Sequence, residues 1–284
     1  MHKILSLALA AMLTLAPNLA NAAVIGPTDD WKPLRSGARQ LGISDDMVGR
    51  ILAAGVELTC PGTVYSNGGM LNGWFLGTGS KSFYTNAHGV VDIGLSDRQA
   101  NFIEPLDKCT VHSYRDLIDR GGRATAYTLA VPQNRRLLEM ATFSPQSAPP
   151  NQDRARLRLA VAITGSRALP LPDLNRLGLA VGQQLFLVSV APPAMRAPVI
   201  EACHIMALKL NGGPGQIYSD CDNAAGNSAG LYLVRDPSRP GMLVPIALHE
   251  GCYEKIGNYK PWDINNNTAV GILLQRNFFA LRGA

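Results

Sequence analysis

The sequence predicts an all-β protein of the sandwich or barrel type, and three observations carry that expectation. Ala155, Leu157, Leu159, Val161 and Ile163 alternate with Arg154, Arg156 and Arg158, the period-two signature of a strand with one buried face. Comparable short apolar runs recur at 74–76, 82–85, 184–190, 203–210, 230–234 and 242–248. Turn-rich stretches separate them, among them Ser66-Asn67-Gly68-Gly69 and Asn211-Gly212-Gly213-Pro214-Gly215. Many short strands with Gly/Pro punctuation build sandwiches or barrels. Helix is expected in two places: after Ser44, which can cap a helix carrying Met47, Val48, Ile51 and Leu52, and in the tail from Gln275 to Leu281.

In chain order, Lys3 precedes an apolar run from Ile4 to Leu15 and then Ala20-Asn21-Ala22, the pattern of a secretory signal peptide cut after Ala22. The run is shorter than the roughly 20 apolar residues of a membrane span, so residues 1–22 are expected to be removed and the mature chain to be exported, periplasmic or secreted, without membrane insertion. Residues 23–50 form an N-terminal arm or propeptide, 51–165 a first β subdomain and 166–284 a second. Lys and Arg number 26 against 21 acids, a net charge of +5, and loss of Lys3 leaves +4. The arginines are scattered, with no basic run interleaved with aromatics, which argues against a nucleic-acid partner.

Five cysteines, Cys60, Cys109, Cys203, Cys221 and Cys252, belong to a chain bound for an oxidising compartment. Two disulfides and one leftover thiol is the simplest arrangement. The preferred pairs are Cys60 with Cys109 and Cys203 with Cys221, with Cys252 a buried inert thiol, although spacing alone leaves the connectivity open. No C-x-x-C spacing marks a zinc or redox site, so neither metal nor cofactor is expected.

Three distant segments hold the parts of a Ser-His-Asp machine. Tyr84-Thr85-Asn86-Ala87-His88-Gly89-Val90 supplies an imidazole after a short strand. Asp153-Arg154-Ala155-Arg156-Leu157-Arg158-Leu159 places a carboxylate at the start of a strand, where a rigid element can hold it against an imidazole Nδ1–H; Asp173 is the fallback acid. Cys221-Asp222-Asn223-Ala224-Ala225-Gly226-Asn227-Ser228-Ala229-Gly230 offers a serine in a glycine-bearing turn, as a nucleophile with converging main-chain amides requires.

The T-x-A-H-x-V, D-x-A-x-L-x-L and G-N-S-A-G patterns, in that order, resemble the trypsin-like serine protease family over roughly residues 55 to 275. The resemblance implies two packed six-stranded antiparallel β-barrels, a catalytic triad of His88, Asp153 and Ser228, an oxyanion hole from the amides of Gly226 and Ser228, and a polypeptide substrate in the crevice. Val244-Pro245-Ile246-Ala247-Leu248-His249-Glu250-Gly251 and Asn267-Thr268-Ala269-Val270 resemble the specificity-pocket strands of the bacterial glutamyl-endopeptidase-like branch. Asp222, Asn223 and His249 are then the substrate-binding candidates. Asp222 occupies the place from which an acid selects Lys or Arg, whereas His249 matches the residue that receives an acidic side chain. In a third reading, Asp222 points away and satisfies loop amides. Asn227 replaces the Asp that in pancreatic members pairs with a new N-terminal amine, and Ala229 replaces the usual glycine.

Two alternatives stand beside the endopeptidase. Gly226 to Gly230 also fits the G-x-S-x-G elbow of an α/β-hydrolase esterase. That fold needs acid and then histidine downstream, but Asp263 follows His249 and Asp236 leaves almost no chain between. A protease-like binding protein without activity would share the fold.

Overall fold

The computed structural model describes residues 24–26, 28–60, 70–77, 79–87, 90–92, 101–102, 106–130, 139–140, 153–190, 197–210, 215–224, 226–254, 261–265 and 267–279. The signal segment and His88 lie outside this set. The chain is all-β, with one closed six-stranded antiparallel barrel, a second sheet curled into a half-barrel and a few short helices.

A short N-terminal section comes first: β1 (Lys32–Pro33), α1 (Leu34–Gln40) and α2 (Asp45–Ala54). Ser44 caps α2 as its position predicts, its Oγ accepting the Met47 N–H at 3.2 Å, and Asp45 and Asp46 favour the positive end of the helix. The first sheet uses β2 (Gly55–Thr59), β3 (Met70–Trp74), β4 (Ser82–Thr85), β7 (Thr110–Ser113), β8 (Tyr127–Thr128), β9 (Glu139–Met140) and β10 (Ala155–Arg158). Their order is β8-β7-β2-β3-β4-β10-β9, with a bridge between Leu129 and Leu159 drawing the two flanks together. Two further short strands, β5 (Val91–Asp92) and β6 (Asn101–Phe102), pair separately, and α3 (Tyr114–Arg120) follows β7 directly.

The second half contains α4 (Leu174–Leu177), β11 (Gln184–Val190), β12 (Pro198–Lys209), β13 (Gln216–Ser219), β14 (Leu231–Arg235), β15 (Leu243–Glu254), β16 (Asn267–Leu273) and α5 (Arg276–Phe279). The order β12-β11-β14-β15-β16-β13 closes through β12 and β13, and β1 is added outside β12. Every pairing between these strands is antiparallel. An α/β-hydrolase is built on a mostly parallel sheet with crossover helices, so the esterase alternative does not fit this architecture. Both preferred disulfides are present, Cys60–Cys109 in the first half and Cys203–Cys221 in the second, as suits an oxidising compartment. Cys252 lies on β15. Among the described residues no helix is long and apolar enough to cross a membrane.

The arginine-striped strand departs from its pattern. Pairing ends at Arg158, Leu159 makes only the single bridge, and Val161 is 67% exposed. Arg154 is buried, not solvated, with its guanidinium 5.5 Å from the Phe278 ring, while Arg156 stands over Tyr84. The start of the charged face is covered because α5 returns to it, while Arg158 at its other end is exposed: Phe278 and Phe279 pack on Tyr84 at 5.7 and 5.2 Å, and the planar guanidinium of an arginine can stack on an aromatic face.

Each half has its own core, Val56, Leu58, Phe75, Phe83 and Leu157 in the first and Leu185, Ile205, Tyr232, Ile246 and Leu273 in the second. A third cluster joins them. Leu34, Met47, Ile51 and Leu52 of the N-terminal helices pack there with Trp74 and Tyr114 of the first half and Phe186, Leu231, Leu248 and Phe278 of the second. The N-terminal helices are therefore part of the seam between the halves, each fully buried Leu, Ile or Met contributing about 1.5–3 kcal/mol. Ser44→Ala should lower unfolding stability by about 1 kcal/mol in urea denaturation, the ordinary value of a lost cap.

Candidate active site

Antiparallel register brings the acid segment to the histidine segment. Ala155 of β10 faces Thr85 of β4, so two residues beyond the strand Asp153 comes opposite Ala87, the neighbour of His88. Asn86 seals this end, its Nδ2 donating to the Asp153 carbonyl at 2.9 Å. Asp153 is buried, as a carboxylate that fixes an imidazole tautomer must be. Asp173, the fallback, instead caps α4 by accepting the Asn175 N–H and pairs with Arg176 on the surface.

Ser228 sits in a tight turn leading into β14. Asn227 N–H donates to the Ala224 carbonyl at 3.0 Å, Gly230 N–H to the Asn227 carbonyl at 2.7 Å and Ala229 N–H to the His249 carbonyl at 2.8 Å. Gly226 has φ +102°, a conformation open to glycine, and Ala229 is the only non-glycine at positive φ among the described residues, at +58°. Such backbone costs an L-residue about 1–2 kcal/mol and concentrates at functional turns. The Gly226 N–H has no partner among the described residues. Asn227, fully buried, accepts the Ser189 hydroxyl at 3.1 Å.

Next to this turn, a chain of polar side chains runs through the buried end of the second barrel. His249 is fully buried, with Nε2 at 2.6 Å from Asn223 Oδ1 and Nδ1 at 2.8 Å from the Tyr232 hydroxyl. The amide oxygen only accepts, so Nε2 carries a proton. Tyr232 continues to Ser219 Oγ at 3.2 Å, and can either donate to Nδ1 or accept from it, so the network accommodates the imidazole in both charge states. Thr268 Oγ1 donates to the Ser219 carbonyl and accepts the Trp262 N–H at 2.8 Å. Gly271, opposite His249 on β16, is required here: a Cβ would lie 2.4 Å from the Tyr232 ring.

Asp222 lies behind this network. Its carboxylate oxygens accept the Ile25 N–H at 2.7 Å and the Asp30 N–H at 3.1 Å, and its own N–H donates to Glu201 Oε1 at 2.7 Å. Burial, with the nearby Asp29 and Asp30 charges, pushes Asp222 up to about 7 against the pull of those two amides. Glu201 is pushed well above the carboxylate range by burial and then by Asp222, and its Oε2 has no partner among the described residues. Glu201 lies with Cys203 and Cys221 in a ligand-like cluster, but those sulfurs are joined as a disulfide and offer no thiolate.

Glu250, which no sequence signal marked, occupies the irregularity in the β15–β16 ladder between His249 and Gly251. A bulge residue is re-aimed relative to its strand. Burial and then the Asp153 charge raise Glu250 well above the usual range, and Oε2 is buried without a partner among the described residues. Glu250 thus links Asp153 of the first half electrostatically to the strand that holds Ala229. Comparison with known family models and with curated proteins returns no match for this chain.

A folded pKa above the unfolded one means stability is fully present below about pH 4.5 and is lost as pH rises through the folded value. Glu250→Gln, which cannot ionise, should gain on the wild type in thermal midpoint between pH 5 and pH 8; a constant difference would contradict the placement. Gly271→Ala should destabilise by about 1–3 kcal/mol, the ordinary cost of overpacking, and disturb His249 through Tyr232, visible as a shifted imidazole resonance.

Proposed function

We propose that the mature chain is an exported serine endopeptidase that cleaves peptide bonds through an acyl-enzyme. The observation carrying this is the pairing of two independent placements. Strand register sets Asp153 beside the histidine segment, and Ser228 occupies a turn of strained and glycine backbone held by β15. In the reaction, Ser228 Oγ attacks the scissile carbonyl as His88 Nε2 takes its proton, and the same proton goes to the leaving amine. Asp153 orients the ring and stabilises the imidazolium that forms. The amides of Gly226 and Ser228 receive the developing oxyanion, each such donor being worth about 100–1,000-fold in rate. Water then releases the acyl group by the same path in reverse. The substrate is polypeptide, and no cofactor enters the steps.

Asp222 bears on which peptide bonds are cut. With both oxygens on backbone amides of the N-terminal segment, it is committed as an anchor and leaves Asn223, backed by the His249 imidazole, to meet the substrate side chain. A buried imidazole backed by Tyr232 and Ser219 can take up a proton and stabilise a carboxylate, so the preferred residue before the cut is acidic. The two disulfides suit an enzyme working outside the cytoplasm.

Digestion of a peptide library by the mature protein, with mass-spectrometric mapping of cut sites, should show cleavage after Glu or Asp. Asp222→Asn should keep that preference, and cleavage after Lys or Arg would contradict the assignment of Asp222. Ser228→Ala should remain folded and lose activity by on the order of 10⁴-fold or more. Near-full activity in that variant would reject the mechanism.

A further inference from the structure

We infer that Asn72 is the positioning residue of the nucleophile turn, a single side chain of the first half that sets the orientation of the amides at Ser228 in the second. The inference rests on the proteolytic reading and names a part of its machinery that no motif indicated.

Asn72 lies on β3, fully buried. Its Nδ2 donates to the Gly226 carbonyl at 2.8 Å and to the Ser228 carbonyl at 2.9 Å, and its main-chain N–H donates to the same Ser228 carbonyl at 2.9 Å. Its Oδ1 accepts the Val190 N–H at 2.7 Å and the Tyr114 hydroxyl. The amide orientation is unambiguous, because main-chain carbonyls can only accept and the Val190 N–H can only donate. All four hydrogen-bonding positions of the carboxamide are thus used, and three of them reach the second half. Its own carbonyl accepts the Thr85 hydroxyl at 2.6 Å, tying the hub to the strand that leads to His88. Trp74, two residues on, donates its indole N–H to the Ala229 carbonyl at 2.7 Å.

Planarity of the peptide bond converts these contacts into an aim. In a trans peptide the carbonyl and the following N–H point in opposite directions. Asn72 holds the Gly226 carbonyl while the Asn227 N–H is held by Ala224, so the plane between them is fixed. The plane between Ser228 and Ala229 is fixed in the same way, by Asn72 on the carbonyl and the His249 carbonyl on the N–H. The plane between Asn227 and Ser228 is anchored by Gly230 N–H on its carbonyl, so the Ser228 N–H points the other way. Three consecutive planes around the nucleophile are immobilised, two of them by one residue across the seam. No other residue type of this size offers two donors and an acceptor with two lone pairs in one plane.

Asn72→Asp keeps the shape and the acceptor but replaces the one nitrogen that donates to both carbonyls with an oxygen that can only accept. Labelling of Ser228 by a fluorophosphonate probe, followed by intact mass, should be slower in folded Asn72→Asp at pH 8 by about 100-fold, the scale of a lost oxyanion donor. The deficit should shrink toward pH 6, because a protonated carboxyl regains one donor; a merely structural role would not give that recovery. Of the titratable groups on the strands and helix packed around Asn72, Tyr114 bonds its Oδ1 and is held well above the usual phenol range by burial and by Glu57, which lies opposite Asn72 on β2; Tyr84 of β4 and Arg115, Asp116, Asp119 and Arg120 of α3 belong to the same elements. Tyr114→Phe, which removes only the hydroxyl aimed at Oδ1, should slow labelling several-fold with less risk to folding. Rates within twofold of wild type in folded Asn72→Asp, or in Tyr114→Phe if the first variant does not fold, overturn the inference while leaving the serine nucleophile intact. A folded wild type that takes no label defeats the proteolytic reading itself, and the role of Asn72 with it.

Discussion

The candidate site depends on one seam, where carbonyls of the Ser228 turn meet donors from the other half of the molecule. Gly226, Ser228 and Ala229 each present a main-chain oxygen to β3, two to Asn72 and one to Trp74. In a buried seam an unpaired carbonyl costs about 1–3 kcal/mol, so separating the halves exposes several such groups at once. The same surface carries the third apolar cluster, into which α1 and α2 place Leu34, Met47 and Ile51. Apolar burial brings the halves together without direction; the hydrogen bonds fix the register between them.

Asp153, Glu201 and Asp222 lie buried around the site and Glu250 is half-buried, and their environments differ. Asp153 lies just before β10 near the histidine segment, while Glu250 on β15 has an oxygen without a partner among the described residues. Burial, with the Asp153 charge added to it, raises Glu250 above the usual carboxylate range. Glu201 and Asp222 repeat that arrangement on the N-terminal side, with Asp222 stabilised by the amides of Ile25 and Asp30. The N-terminal segment thus joins the second barrel through β1, through the seam cluster and through an anchored carboxylate next to Asn223 of the His249 network.

The β-rich architecture was legible because strands such as Gln184–Val190 and Ser82–Thr85 carry their burial in short contiguous runs bounded by turns, and Ser44 announced α2 through its cap. The two disulfides followed from cysteine count and compartment. The burial of Arg154 was not legible from periodicity, since nothing local to residues 154–158 shows that Phe278 will return to cover it. The same limit hid Asn72, Tyr232 and Glu250. Each owes its place to contacts more than a dozen residues away in sequence, and an asparagine amid Met70-Leu71-Asn72-Gly73-Trp74 carries no motif. A polar residue in an apolar strand such as this one must find hydrogen-bond partners when buried, but the sequence does not name them.

The central claim is that His88, Asp153 and Ser228 meet at the seam beside two inward-facing amides. A crystal structure of the mature protein after reaction with a peptidyl phosphonate tests it most directly. The account predicts phosphorus bonded to Ser228 Oγ, one phosphoryl oxygen within hydrogen-bonding distance of the Gly226 and Ser228 N–H groups, and the His88 ring between Ser228 and Asp153. An adduct on another residue, or an imidazole turned away from Asp153, would contradict it.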